Sequence, residues 1–166
     1  MATRRNLDAG AHMMRTEDRL FMRAPVERVF RAAADVERWP ELLSHYRWVR
    51  MVERRPDGGV VEMAAWRSFG RLKYPTWWVS EMWVDIKAAA VRYRHVRGIT
   101  TGMAVEWRLQ PAYEGTDVTI VHEWNGPDWP LIRRPAAEWV IGPVFVHGIA
   151  SRTLAGLRQA VERVDA

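Results

Sequence analysis

What most constrains this chain is an imbalance: a long succession of short alternating segments is followed by a single long amphipathic helix. The alternating segments come after residue 44, and turn signals separate them at Pro56-Asp57-Gly58-Gly59, Phe69-Gly70, Lys87–Ala89, Gly98–Gly102 and Glu114-Gly115. Alternation with a period of two marks half-buried strands, and clusters of Pro, Asp and Gly mark the turns between them. Strands joined by such short turns pair antiparallel. A sheet built this way has one apolar face to cover, and the last helix is the one long element able to cover it. The expected fold is therefore α+β, a curved antiparallel sheet of about seven strands wrapped around a long C-terminal helix. Curvature of that kind leaves room between sheet and helix, a natural place for a ligand cavity.

Ahead of the sheet, Arg15–Arg23 reads as a first strand and Pro25 opens a helix, with Val26, Val29, Phe30 and Ala33 as its apolar stripe. Asp35 and Trp39-Pro40 break that helix, and Glu41–Ser44 reads as a second short one. On the closing helix, Val144, His147, Ile149, Ser151, Leu154, Leu157, Val161 and Val164 fall near one face, while Arg152 and Arg163 point away. Gly142-Pro143 marks either the start of that helix or a kink in it. The stretch NGPDWPLIRRP, 125–135, reads as a proline-rich loop. Residues 1–14 have no periodicity, and His12-Met13-Met14 looks like a junction ahead of a native start. The expected organisation is a loose leader over 1–14 and one ligand-binding domain over 15–166.

Composition narrows the function classes. With 166 residues, 48% of them hydrophobic, the chain can bury a sizeable core. It has no cysteine, which rules out disulfides, a thiol nucleophile and a thiolate metal site. No apolar run reaches the ~20 residues of a membrane helix, and residues 1–14 lack the apolar centre of a secretory signal. A cytoplasmic location is the default expectation. The net charge of +5 raises the question of nucleic acid, but the arginines are dispersed and adjacent only at Arg4-Arg5, Arg54-Arg55 and Arg133-Arg134. A solvated arginine-rich face fits this better than a nucleic-acid footprint, so no specific nucleic-acid partner is expected.

The stretch PTWWVSEMW, 75–83, carries Trp77, Trp78 and Trp83 within nine residues. On a strand, Trp78, Ser80, Met82, Val84 and Ile86 share one face, and Trp77, Val79, Glu81, Trp83 and Asp85 share the other. Each face holds a hydrogen-bonding group, which points to a packed side and a side that lines something. Alternation also assigns inner faces to Val91, Tyr93 and His95, to Met103, Val105, Trp107 and Leu109, and to Val118, Ile120, His122 and Trp124. Arg92, Arg94, Glu106 and Arg108 then face outward.

Three stretches carry a family resemblance: ERWPELLSHY (37–46), WWVSE (77–81) and LAGLRQAVE (154–162). Over about residues 15–164 the chain resembles the helix-grip superfamily of steroidogenic-acute-regulatory-related lipid-transfer and birch-pollen-allergen proteins. More narrowly, it resembles the single-domain aromatase/cyclases of aromatic polyketide synthesis. The resemblance implies an internal cavity for a hydrophobic molecule, with Trp39 and Tyr46 at its mouth and wall and Trp78 and Ser80 inside. It also implies aldol cyclisation and dehydration, no cofactor, and an acyl carrier protein as a candidate partner. This sequence departs from the cyclase pattern at Met82, where the cyclases carry an arginine, and at HGIAS (147–151), where they offer an amide. Losing that arginine removes a permanent cation and five donors.

The inward-facing titratable residues Tyr46, His95, His122 and His147 are the candidate catalytic groups, since cyclisation needs a carbonyl activator and a base. For each of them, a hydrogen-bonded core role is the plain alternative. Trp39, Trp66, Trp78, Ser80, Met82, Tyr93, Trp107 and Trp124 are the candidate ligand wall. Any one indole can be simple packing, but ten tryptophans in one small chain suit a flat aromatic ligand. Trp66 and Arg67 lie on opposite faces, and the pattern favours Trp66 inward; His45 is expected outward. The histidines lack short ligand spacing, so no metal is expected. Besides a cyclase, the sequence admits a carrier for a quinone, polyketide or lipid, or a protein-binding module.

Overall fold

The computed structural model describes residues 13–69, 71–126 and 143–163. Its strands are β1 (Met14–Met22), β2 (Tyr46–Arg55), β3 (Gly58–Phe69), β4 (Leu72–Asp85), β5 (Ala90–Gly98), β6 (Ala104–Ala112) and β7 (Gly115–Trp124). They form one antiparallel sheet in the order β1-β7-β6-β5-β4-β3-β2. From β2 to β7 each strand pairs with its successor, so short turns set the topology. Only the passage from β1 to β2 crosses from one edge of the sheet to the other. It runs through α1 (Val26–Ala34), a 3-10 turn over Val36–Arg38 and the short α2 (Trp39–Leu42). The last helix, α3 (Pro143–Glu162), packs against β1, β7, α1 and α2. This is the α+β architecture that the alternation pattern predicts, and the helix-grip fold that the family resemblance implies.

Helix α1 begins where Pro25 holds φ at −59°, a conformation that fits a helix entry, with Glu27 in the first turn and Arg31 in the last. Asp35 ends it. Trp39-Pro40 does not break the helical path as expected, because Pro40 sits in the first turn of α2, where a missing N–H costs nothing. The second helix therefore covers Trp39–Leu42 rather than Glu41–Ser44. The first strand starts at Met14, one residue ahead of the expected start.

The core lies between the concave face of the sheet and α1 and α3, with Met22, Val29, Val61, Val91, Val118 and Leu157 fully buried. On α3 the buried positions are Val146, Ala150, Thr153, Leu154, Leu157 and Val161. The expected stripe is thus rotated: Ile149 and Ser151 are half-buried, and His147 is exposed. Expectations for Val164, for the side chain of Val144, for residues 1–12 and for the loop over 127–135 lie outside the described residues.

One irregularity sets the site. The register of β4 on β5 shifts between Val79 and Ser80, so Trp78 faces Gly98 while Ser80 faces His95. Gly98 has φ +102°, and a Cβ there would stand 2.6 Å from the Trp77 carbonyl oxygen. Only glycine lets β4 and β5 approach this closely where the indole of Trp78 turns inward.

Candidate functional site

The concave face and α3 line a cavity of about 80 Å³. Its wall is mostly aromatic and aliphatic. Trp39, Trp78 and Trp107 line it with Met63, Met103 and Val105. The Trp39 ring centre lies 5.2 Å from that of Tyr46 and 5.6 Å from that of Trp107, and the Trp39 Nε1–H donates to the Ala32 carbonyl at 3.0 Å. The three rings therefore form a braced wall whose donor is already used on the α1 side.

The polar groups at this wall are neutral. Among the described residues, no charged side chain lines the cavity. His95 stacks on Trp78 with ring centres 5.9 Å apart, and its Nδ1 shares a hydrogen bond with Thr100 Oγ1 at 2.6 Å. Burial, reinforced by the neighbouring His122, lowers its pKa to about 3. Burial alone lowers His122 to about 4. Tyr93 is buried with its hydroxyl unpartnered, and burial, then the nearby Tyr46, raises its pKa well above the ordinary phenol value. Burial also raises Tyr46, which a hydrogen bond to Thr153 partly offsets.

Thr153 organises the helix side. Its hydroxyl donates to the Ile149 carbonyl at 2.8 Å, so its oxygen is left to accept. His45 Nε2, 3.0 Å away, must then be the protonated nitrogen of its ring, and Tyr46 is hydrogen-bonded to the same Thr153 side chain. Burial, with a smaller push from Arg152, lowers the His45 pKa to about 4.

Sequence-predicted residues divide accordingly. The structure brings Trp39, Tyr46, Trp78, Tyr93, His95, Trp107 and His122 together at the cavity wall. Ser80, Met82 and Trp124 are buried on the same side of the sheet but packed away from the open space. Trp124 points its indole N–H to the Thr101 carbonyl at 3.0 Å, and Met82 stands across from Tyr93. Trp66 is outside the site, 39% exposed beneath the Arg47 guanidinium, whereas Arg67 is 5% exposed. The reason is phase. Val61, Met63, Ala65 and Arg67 form one alternating face, and the pair Ala64-Ala65 hides that phase in the sequence. His147 is likewise outside, exposed and in contact with Asp18, and His45 is buried rather than outward.

Sequence reasoning missed Thr100 and Thr153, which hold the imidazoles of His95 and His45. Thr153 was findable, since it falls at helical spacing from Val146 and Ala150. Thr100 sits in the β5–β6 turn and leaves no periodic signal. Among the described residues, no group of three or more His, Cys, Asp or Glu side chains comes together as metal ligands. No helix among them is long and apolar enough to cross a membrane.

The family model for polyketide cyclase/dehydrase and lipid transport matches residues 22–144. The chain belongs to that family. A candidate polyketide cyclase of Streptomyces cyaneus is 32% identical over 118 residues, covering 70% of this chain and 76% of that protein. In fold, this family member is similar to the Zhui aromatase/cyclase from Streptomyces sp. R1128, at a TM-score of 0.77 and 20% identity over 93% of this chain and 97% of that one. It is also similar to a START-superfamily protein from Mycobacterium smegmatis, at a TM-score of 0.71 and 12% identity over 91% and 99% of the two chains. Likenesses at these identities speak for the fold, and the geometry of the cavity speaks for its chemistry.

Proposed function

We propose that this protein binds a hydrophobic, polyketide-like aromatic molecule in the cavity and acts on it as a cyclase of aldol and dehydration type. The observation that carries this reading is the opposed tuning of two neutral groups at one apolar wall. Burial keeps the Tyr93 phenol protonated as a donor and keeps the His122 imidazole unprotonated as an acceptor. Tyr93 and His122 share one row of the sheet, each directly across from Val105. In the proposed step the His122 imidazole takes an α-proton flanked by two carbonyls. The enolate carbon then bonds to a second carbonyl carbon, whose oxygen is held by the Tyr93 hydroxyl. The imidazolium returns the proton to that oxygen, and loss of the new hydroxyl with a neighbouring hydrogen releases water. Tyr46 and His95, hydrogen-bonded to Thr153 and Thr100, supply further polar wall. Trp39, Trp78 and Trp107 stack the ligand. In this reading the protein works in the cytoplasm and takes its substrate from an acyl carrier protein.

A carrier for a quinone, polyketide or lipid is the second reading, and it is favoured by the lack of a charged side chain at the described cavity wall. Titrating the intrinsic tryptophan fluorescence with aromatic polyketide analogues, and separately with isoprenoid quinones and fatty acids, tests both. Saturable quenching by the polyketides, with turnover lost in His122→Phe at retained binding, is the expected result. Selective quenching by quinones or fatty acids without turnover would replace the cyclase by the carrier.

A further inference from the structure

Behind the cavity wall, at the β1 edge, three buried polar atoms have no hydrogen-bond partner among the protein's own groups: Thr16 Oγ1, Asp18 Oδ2 and His122 Nδ1. They belong to one patch. Thr16 stands directly across from His122 on the paired strands, and Asp18, two residues on, faces the same side across from Ile120. Opposed side chains on such strands lie about 5 Å apart at Cβ and diagonal ones about 7 Å. No direct bond joins His122 to Asp18, since both atoms stand without a partner, and side chains at this spacing are near enough for one water, which needs two to four polar partners, to bridge them. The second carboxylate oxygen of Asp18 is held by His147 Nδ1 of α3, whose ring is exposed at the surface.

We propose that Thr16, Asp18 and His122 form a buried niche for one water molecule. Through it, Asp18 orients the imidazole with its proton on Nδ1 and its free nitrogen, Nε2, toward the cavity. This rests on the cavity being the reaction site, and it makes Asp18 a positioning residue. The bonding closes. The water accepts from His122 Nδ1–H, donates one hydrogen to Asp18 Oδ2 and the other to Thr16 Oγ1. A carboxylate favours the tautomer that aims an N–H toward it, as carboxylates do behind metal-bound histidines. The other titratable groups near His122 do not compete for Nδ1. His95 and Tyr93 lie on β5, two strands away, and His147 is engaged with the far oxygen of Asp18.

The test reads the tautomer directly, without substrate. In protein carrying 15N-histidine, the imidazole nitrogens of all five histidines are recorded at pH 7, with His122 assigned by its loss in His122→Gln. Wild type is expected to show the Nδ1–H form. Asp18→Asn is expected to move more than half of the population to Nε2–H. Thr16→Val keeps the shape and is expected to act in the same direction, so the proposal stays testable if Asp18→Asn does not fold. An Nε2–H signal in wild type, or an unchanged Nδ1–H signal in every folded variant, would overturn it. Because no ligand is involved, this result stands or falls separately from the cyclase reading.

Discussion

The two faces of β5, β6 and β7 carry polar residues in opposite styles. On the convex face, Glu106 accepts from Arg92 Nε at 2.9 Å and from Arg108 Nε at 2.7 Å, in water's reach. On the concave face of the same strands, Tyr93, His95 and His122 are neutral, and two of the three keep an unpartnered buried atom. Alternation places these sets one residue apart, yet their surroundings differ by the whole cost of desolvation. Full charges are cheap outside, where solvent screens them. On the inner face of these three strands the titratable groups shed their charge, and their pKa values record it. The concave face thus offers donors and acceptors without ions, which suits a neutral, carbonyl-rich guest.

Breaking the concave side should cost most at Trp39. It is 2% exposed, braces both Tyr46 and Trp107, and closes the cavity against α1. Trp39→Ala is expected to lose about 3–5 kcal/mol in urea unfolding and to abolish ligand quenching.

Acid comes next. His45, His95 and His122 protonate at about 4, 3 and 4 in the folded protein, whereas in the unfolded chain they do so near 6.5. Between pH 6.5 and about 4 the unfolded state therefore binds more protons, and stability must fall as pH falls through that window. Unfolding midpoints measured from pH 8 to pH 4 should be flat above about 7 and then decline. His122→Phe should make the decline shallower. A flat profile throughout would mean that these rings are not held out of water, and the contrast between the faces would fail. Smaller still is Tyr93→Phe. Removing an unpartnered hydroxyl should leave stability within about 1 kcal/mol while weakening carbonyl-bearing ligands by roughly tenfold.

How much of this was legible in the sequence follows from which signals are periodic. The sheet, its turns and the inward set of β5, β6 and β7 follow from alternation, because half-buried strands must repeat every two residues. The phase of β3 did not follow. Ala64 and Ala65 are both buried and small, so the pattern favours Trp66 inward although it is Arg67 that turns in. The face of α3 was misjudged for a related reason. His147 sits one position beyond the buried Val146, and a helix face 100° wide does not resolve such neighbours. Burial of His45 came from a turn between α2 and β2, where no period exists to read. Met82 shows the limit of resemblance. Met82, where the resemblance implies an arginine, is packed in the core across from Tyr93.

The smallest expected effect sharpens the comparison from the convex side. Glu106→Gln removes the charge that both Arg92 and Arg108 use, which on the concave face would be severe. Here the two guanidiniums are nearly half exposed, and Arg108 also feels Glu17 and Glu123. Water and those neighbours take up most of the loss, so the cost should stay below about 1 kcal/mol. It should shrink further in molar salt, where the Debye length is roughly 3 Å. The concave variants should keep their full effect in the same salt, because their groups are buried and neutral and leave little for ions to screen. Paired unfolding curves of Glu106→Gln and His122→Phe at low and high salt read this difference directly. If both lost their effect in salt, the concave face would be as wet as the convex one, and the neutral, enclosed chemistry argued for the cavity would have no place to occur.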